Sequence, residues 1–295
     1  MTLSAFYIVD VFAEEKYAGN QLAVFSDGQA FNDDQMQKLA REMHFSETTF
    51  IMSHQPRDGR FDVRIFTPEH EVPFAGHPTL GTAFILQSQI IKEPIDRIVL
   101  NLGVGPIPVD LTYDGGELSE LWMKQVNPIF GEILSATSLA KTLGLRESDI
   151  DPRFPIQEVS TGMGFIIVPL KNLDALKRAA IARERYFQLI SALDSKGILV
   201  FSPETHHVRN DLAARVFVDY YGVPEDPATG SGNGCLAGYL ARYDCLRTRQ
   251  VNVRVEQGYE IHRPSLLYLK AEETASGIDV HVGGRVSLTA SAELA

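Results

Sequence analysis

The chain has 295 residues, near the size at which one hydrophobic core stops growing, so two domains of roughly 150 residues each are the first expectation. With 44% hydrophobic and 22% charged residues, its make-up is that of an ordinary globular protein, which excludes a disordered or fibrous chain. Its 27 basic against 38 acidic residues leave a net charge of −11, which repels polyphosphate and anionic lipid and argues against nucleic-acid or membrane partners.

The N-terminus, MTLSAFYIVDVFAEE, has no basic leader and alternates apolar with polar residues, so it reads as a strand over Phe6–Phe12 and not as a signal peptide. A second strand is expected at Gln21–Phe25. Asn32 with Gln35 then makes a capping box, Asp33 and Asp34 suit the positive end of a helix dipole, and Met36, Leu39, Ala40 and Met43 recur at helical spacing. That predicts a helix from about Asp33 to His44. Strands follow at Thr48–Met52 and Phe61–Thr67. Pro78 suits the first position of a helix starting at His77, whose Leu80, Ala83, Phe84 and Leu86 sit in an almost wholly apolar surround, so this helix should be buried.

Strands are expected again at Arg97–Leu102, Ile107–Leu111 and Leu118–Lys124, with a domain junction near Gln125–Gly131 and a short helix at Thr137–Leu145 ended by Gly144. The second half repeats the theme: strands at Ile156–Ser160, Phe165–Leu170, Gly197–Phe201 and Ala213–Tyr220, a surface helix near Arg185–Leu193, and a buried helix from Ser231 to about Tyr243. Many strands around one apolar helix per half point to an α+β protein and away from a doubly wound nucleotide fold. No apolar run approaches the roughly 18 residues that span a bilayer. The two cysteines, Cys235 and Cys245, read as free thiols of a reducing compartment, so a cytoplasmic protein is expected.

The chain also aligns with itself. Arg64-Ile65-Phe66 matches Arg215-Val216-Phe217 at an offset of 151, which puts Thr49-Phe50-Ile51 over Val200-Phe201-Ser202 and Val72-Pro73 over Val223-Pro224. At an offset of 154, the run from Gly76-His77-Pro78 lies beside the run from Gly230-Ser231-Gly232. A period of half the chain implies two similarly folded halves, with like parts facing across a pseudo-two-fold cleft where small molecules bind.

Each half places glycines ahead of a buried helix, at Ala75-Gly76-His77 and Thr229-Gly230-Ser231. Helix N-termini carry unpaired N–H groups and partial positive charge, so two such ends would hold a carboxylate; either motif alone also fits a tight helix entry. Glu47 stands where a helix hands over to an apolar strand, and by itself it could be a solvated carboxylate. His77 could equally be a simple N-cap, and Asp226-Pro227 a simple turn. Metal-ligand spacings, a hydrolase elbow, a dinucleotide loop and a P-loop are all missing; His206-His207 is a loop-like pair without a third ligand nearby. No metal and no cofactor are expected.

These motifs resemble those of the PhzF-like family, named for the isomerase of phenazine biosynthesis and related in fold to diaminopimelate epimerase and proline racemase. The resemblance is carried in order by Gly19-Asn20, Ala40-Arg41-Glu42-Met43, Ser46-Glu47-Thr48-Thr49-Phe50, Arg64-Ile65-Phe66-Thr67-Pro68, Phe74-Ala75-Gly76-His77-Pro78 and Glu225-Asp226-Pro227-Ala228-Thr229-Gly230-Ser231. It implies two pseudo-symmetric domains, each a curled, mainly antiparallel sheet around a central helix. The expected domains are residues 1–126, completed by a C-terminal strand at about 283–295, and residues 127–282. The racemase relatives use one thiol per half at a cysteine–glycine step; here Ala75 and Thr229 stand at those steps, which excludes a two-thiol mechanism.

The resemblance further implies that Glu47 carries a proton from one substrate carbon to another on the same face. Such a [1,5]-type shift converts trans-2,3-dihydro-3-hydroxyanthranilate into its keto isomer. His77, Asp226, Ser231, Gly76, Gly230, Asn20 and Ser46 fall at positions for substrate contact or proton handling, and a homodimer is the implied assembly. A glutamate has an ordinary pKa of about 4.3, so an enclosed site is needed to make it an effective base. The expected substrate is a small carboxylate-bearing molecule. The same scaffold could also serve as a non-catalytic metabolite-binding or regulatory module.

Overall fold

The computed structural model describes residues 4–248 and 250–294, and the chain divides into two compact units, Met1–Met123 with Gly283–Ala295, and Lys124–Val282. Unit 1 contains β1 (Ala5–Val11), β2 (Asn20–Phe25), α1 (Asp33–Met43), β3 (Glu47–Ile51), β4 (Phe61–Phe66), β5 (Glu71–Val72), α2 (Gly76–Ile85), β6 (Arg97–Leu102), β7 (Gly105–Asp114), β8 (Glu117–Lys124) and the C-terminal strand Val286–Glu293. The C-terminal strand and β2 flank β1 antiparallel, β2 runs parallel to β3, and β3 antiparallel to β4. Beyond that, β4 takes β5 antiparallel and β6 parallel, and β7 returns antiparallel to both β6 and β8.

Strand alternation gives this sheet two apolar faces. One receives α2: Gly81 lies so close that a Cβ there would stand 2.6 Å from Leu22 Cδ2 and 2.9 Å from Val11 Cγ2. On the same face the Thr82 hydroxyl donates to Thr49 Oγ1 at 2.8 Å. The other face sends Ala23, Phe25 and Phe50 against Met36 and Ala40 of α1, with the Phe25 ring stacked 5.2 Å from Phe6 and 4.9 Å from Phe50. The expected capping box of α1 is formed in both directions by Asn32 and Gln35. Helix α2 begins two residues earlier than a start with Pro78 in first position, with Ala75 and not His77 as N-cap, so Pro78 is its third residue. The missing N–H is harmless there too, because first-turn N–H groups have no acceptor within the helix.

Unit 2 contains β9 (Ile129–Leu134), α3 (Ala136–Thr142), β10 (Ile156–Ser160), β11 (Gly164–Pro169), α4 (Leu173–Arg178), α5 (Arg183–Ile190), β12 (Gly197–Ser202), β13 (Leu212–Val218), β14 (Val223–Asp226), α6 (Gly230–Arg242), β15 (Gln250–Gln257), β16 (Ser265–Thr274) and β17 (Gly277–Gly284). The pairing order of unit 1 returns. Strands β9 and β11 flank β10 antiparallel, β11 is parallel to β12, β12 antiparallel to β13, β13 takes β14 antiparallel and β15 parallel, and β16 returns antiparallel. Helix α6 packs on β10, β11, β12, β15 and β16, as α2 packs on β1, β2, β3, β6 and β7. The duplication extends to side chains. Arg64 forks onto Glu71 and lies 5.1 Å over Phe66, while Arg215 forks onto Glu225 and lies 4.9 Å over Phe217.

The ladder corrects the repeat alignment in two places. Ile65 pairs with Val72 and Val216 with Asp226, so Val72 matches Asp226 and not Val223. Phe50 pairs with Arg64 and Val200 with Arg215, so Phe50 matches Val200 and not Phe201. That one-residue slip places Gly197 where unit 1 has Glu47. Among the elements that escaped the sequence reading are the short strands β5 and β14, β9, taken in part as junction, and α4, a six-residue helix whose Asn172 cap accepts from the Ala175 N–H.

Candidate active site

Glu47 opens β3 in parallel register with Leu22, so its side chain shares the face that receives α2. Asn20, two residues before Leu22 and 2% exposed, belongs to the same face. Ser46 directly precedes the strand and is half-buried. His77, the second residue of α2, is buried, and its Nε2 lies 3.4 Å from Glu47 Oε2.

Burial pushes the His77 imidazole down to about 3, against the smaller opposing effect of its backbone hydrogen bond with Gln21, so the ring is neutral at physiological pH. Nε2 makes no hydrogen bond among the described residues, which leaves Nδ1 to donate to the Gln21 carbonyl and puts the ring proton there. The Nε2 lone pair then faces Glu47. It can accept a hydrogen bond from that carboxyl only in its protonated form. The first bond of the α2 ladder runs from the Thr79 N–H to the Ala75 carbonyl, so the Gly76 and His77 N–H groups precede the ladder.

In unit 2, Asp226 ends β14 and accepts at Oδ2 a short hydrogen bond from the hydroxyl of Thr229, the N-cap of α6. The ladder of α6 begins with the Asn233 N–H on the Thr229 carbonyl at 3.0 Å, leaving the Gly230, Ser231 and Gly232 N–H groups ahead of it. Ser231 is half-buried, its Oγ 4.0 Å from Met163 Sδ. Gln257, which the sequence did not single out, binds Thr229, Asn233 and the Asp226 backbone. It lies 31 residues from Asp226, and only the fold brings the two together.

Unit 2 has no counterpart of Glu47. A Cβ on Gly197 would stand 2.5 Å from the Phe165 ring, so that position is closed to a side chain. The thiols offer no alternative base: both cysteines are free, and burial pushes Cys235 up to about 11 and Cys245 up to about 12. His206, read as a bare loop histidine, is sandwiched between Glu256 at 2.9 Å and Glu260 at 3.3 Å and stacks on Tyr259. Glu256 also accepts from the His206 and His207 N–H groups and from Asn210, so this cluster ties a loop to β15. Among the described residues, no group of three or more His, Cys, Asp or Glu could hold a metal ion. A groove of about 590 Å³ on unit 1, lined by Asp62, Arg64, Glu71 and Asn101 among others, includes none of the predicted site residues.

Comparison with known proteins assigns the family. Residues 9–292 match the family described as PhzC-PhzF, phenazine biosynthesis-like protein. Over 282 residues the chain is 36% identical to a trans-2,3-dihydro-3-hydroxyanthranilate isomerase of Pseudomonas aeruginosa, with 95% of each chain covered. It is 33% identical to an uncharacterized isomerase of Pasteurella multocida, covering 100% of this chain and 95% of that one. A crystal structure of a Bacillus anthracis phenazine biosynthesis protein of the PhzF family matches with a TM-score of 0.91 at 26% identity, covering both chains fully. A probable proline racemase of Agrobacterium radiobacter shares the fold, with a TM-score of 0.65 at 12% identity over 99% of this chain and 93% of that one. The chain belongs to the PhzC-PhzF phenazine biosynthesis-like family and is an isomerase of α+β fold.

Proposed function

We propose that this isomerase moves a proton between two carbons of a small carboxylate-bearing substrate, with Glu47 as general acid/base. The reaction named for its Pseudomonas aeruginosa relative, isomerisation of trans-2,3-dihydro-3-hydroxyanthranilate, is the specific reading. In the first step the Glu47 carboxylate takes a proton from carbon, and the C–H electron pair enters the conjugated system of the substrate. In the second step a C–H bond forms at the distal carbon, Glu47 gives up the proton, and the carboxylate is restored. Substrate and product have the same composition, so the cycle needs no external oxidant, reductant or cofactor.

One observation carries this reading: a carboxyl group placed 3.4 Å from a neutral imidazole nitrogen. An Nε2 lone pair stabilises the protonated carboxyl that exists only between the two steps. The reading assigns His77, Asp226, Ser231, Asn20 and Ser46, with the N–H groups of Gly76 and Gly230, to substrate contact and proton handling. Positioned proton transfer contributes roughly 10²–10⁴-fold, so Glu47→Gln should lower kcat by at least that range while substrate still binds. Turnover of trans-2,3-dihydro-3-hydroxyanthranilate, followed by NMR, is the measurement. A Glu47→Gln variant as fast as the parent removes the assignment.

A further inference from the structure

Unit 2 holds a buried amide whose hydrogen-bonding capacity is filled. Gln257, the last residue of β15, is 1% exposed. Its Nε2 donates to the Asp226 main-chain oxygen at 2.7 Å and to Thr229 Oγ1 at 3.0 Å; its Oε1 accepts from the Thr229 N–H at 3.2 Å and from Asn233 Nδ2 at 2.8 Å. Four bonds are all that a primary amide can make. The amide orientation is fixed, because a main-chain N–H can only donate and a main-chain carbonyl only accept. Donation into Thr229 Oγ1 has a directional result. That hydroxyl has a single proton, and with Gln257 occupying an acceptor site the proton turns to Asp226 Oδ2.

Unit 1 is an internal control for this arrangement. The ladder pairs Ile65 with Val72 and Val216 with Asp226, so Val72 stands in the place of Asp226. It pairs Phe61 with Leu100 and Leu212 with Val255, which puts Leu102 in the place of Gln257. Gly103 packs on Pro73 as Gly258 packs on Pro227, fixing the same alignment independently. At the helix starts Ala75 matches Thr229 and Thr79 matches Asn233. The Thr79 hydroxyl donates to the Ala75 carbonyl at 2.7 Å, as Asn233 Nδ2 donates to the Thr229 carbonyl at 3.0 Å. The bond that steadies the helix start therefore exists in both units, whereas glutamine, hydroxyl and carboxylate exist in unit 2 alone. The same strand–helix junction folds without them.

We propose that Gln257 is a positioning residue that acts through the Thr229 hydroxyl to hold the Asp226 carboxylate in one orientation for the substrate. The functional half of this statement rests on the reading of Asp226 as a substrate-contacting group; the structural half does not. In protein labelled with ¹³C,¹⁵N-aspartate, three-bond couplings of Asp226, assigned with Asp226→Asn, report its side-chain rotamer without any substrate. A single rotamer is expected in the parent and in Thr229→Ser, and averaged couplings in Thr229→Ala and Gln257→Leu.

Because Gln257→Leu alone strands the Thr229 N–H, a Thr229→Ala/Asn233→Thr/Gln257→Leu variant, carrying the residues of unit 1, is measured beside it, with thermal unfolding to establish that each is folded. An unaltered single rotamer in Thr229→Ala, in Gln257→Leu or in the triple variant overturns the proposal. With trans-2,3-dihydro-3-hydroxyanthranilate, the same variants should lose at least tenfold in kcat, and undiminished turnover with an averaged rotamer overturns it as well. A parent protein without turnover of that compound counts against the proposed function alone, and the rotamer result stands by itself.

Discussion

His77 shows how burial of one titratable side chain makes stability depend on pH. In the folded protein it stays neutral down to about pH 3, while in the unfolded chain it takes up a proton near 6.5. Between those values the unfolded state binds more protons, so stability falls as the pH drops through this window. At pH 4.5 the loss attributable to this residue should be roughly 2–3 kcal/mol. Urea unfolding of the parent and of His77→Asn from pH 7 to pH 4 checks this: the variant should show the flatter dependence. The residue itself was legible, because histidine behind a glycine at a helix start is a local pattern. Its tautomer was not, since that depends on the Gln21 carbonyl, which belongs to a neighbouring strand. Gln257 was illegible for the same reason, being one more polar residue in a strand, QVNVRVEQ, that alternates polar residues with valine.

At the scale of elements, glycine decides how closely the α6 helix can approach its surroundings. A Cβ on Gly238 would stand 2.8 Å from Pro128 Cγ, and the proline ring cannot turn aside. Gly238→Ala gains about 1 kcal/mol in helix propensity but forces an overpacked contact worth about 1–3 kcal/mol. The net expectation is destabilisation by up to about 2 kcal/mol, read as a lower urea midpoint with an unchanged slope. The elements that the sequence revealed were those with local signals, such as the capping box of α1 and the apolar run of α2. Strand β9 has its Ile129 and Ile133 exposed, which breaks the expected apolar alternation, and α4 has too few residues to establish a helical period. The slip of one residue between the repeats lies in the hairpin register, with 13 residues between Phe50 and its partner Arg64 and 14 between Val200 and Arg215, and only the ladder reveals it.

At the scale of the whole molecule, the last strand matters to the first unit. Val286–Glu293 pairs with β1 along its length, and the Thr289 hydroxyl donates to the buried Asp10 at 2.7 Å. Truncation after Val282 should therefore strip protection from the amides of β1 in hydrogen exchange while those of β12 and β13 keep theirs. The duplicated plan was visible from the paired Arg-x-Phe segments and the two glycine-led helices. Its departures from symmetry were not: Gly197 occupies the place of Glu47, and Val72 the place of Asp226. The Gly197 substitution bears on stereochemistry. Where two opposed groups serve a racemase, the atom removed and the atom delivered differ; under the proposed function, a lone carboxylate ferries the same hydrogen onward. Deuterium placed on the donor carbon should thus reappear on the acceptor carbon of the product, with washout into water limited to what escapes during the brief life of the O–D acid.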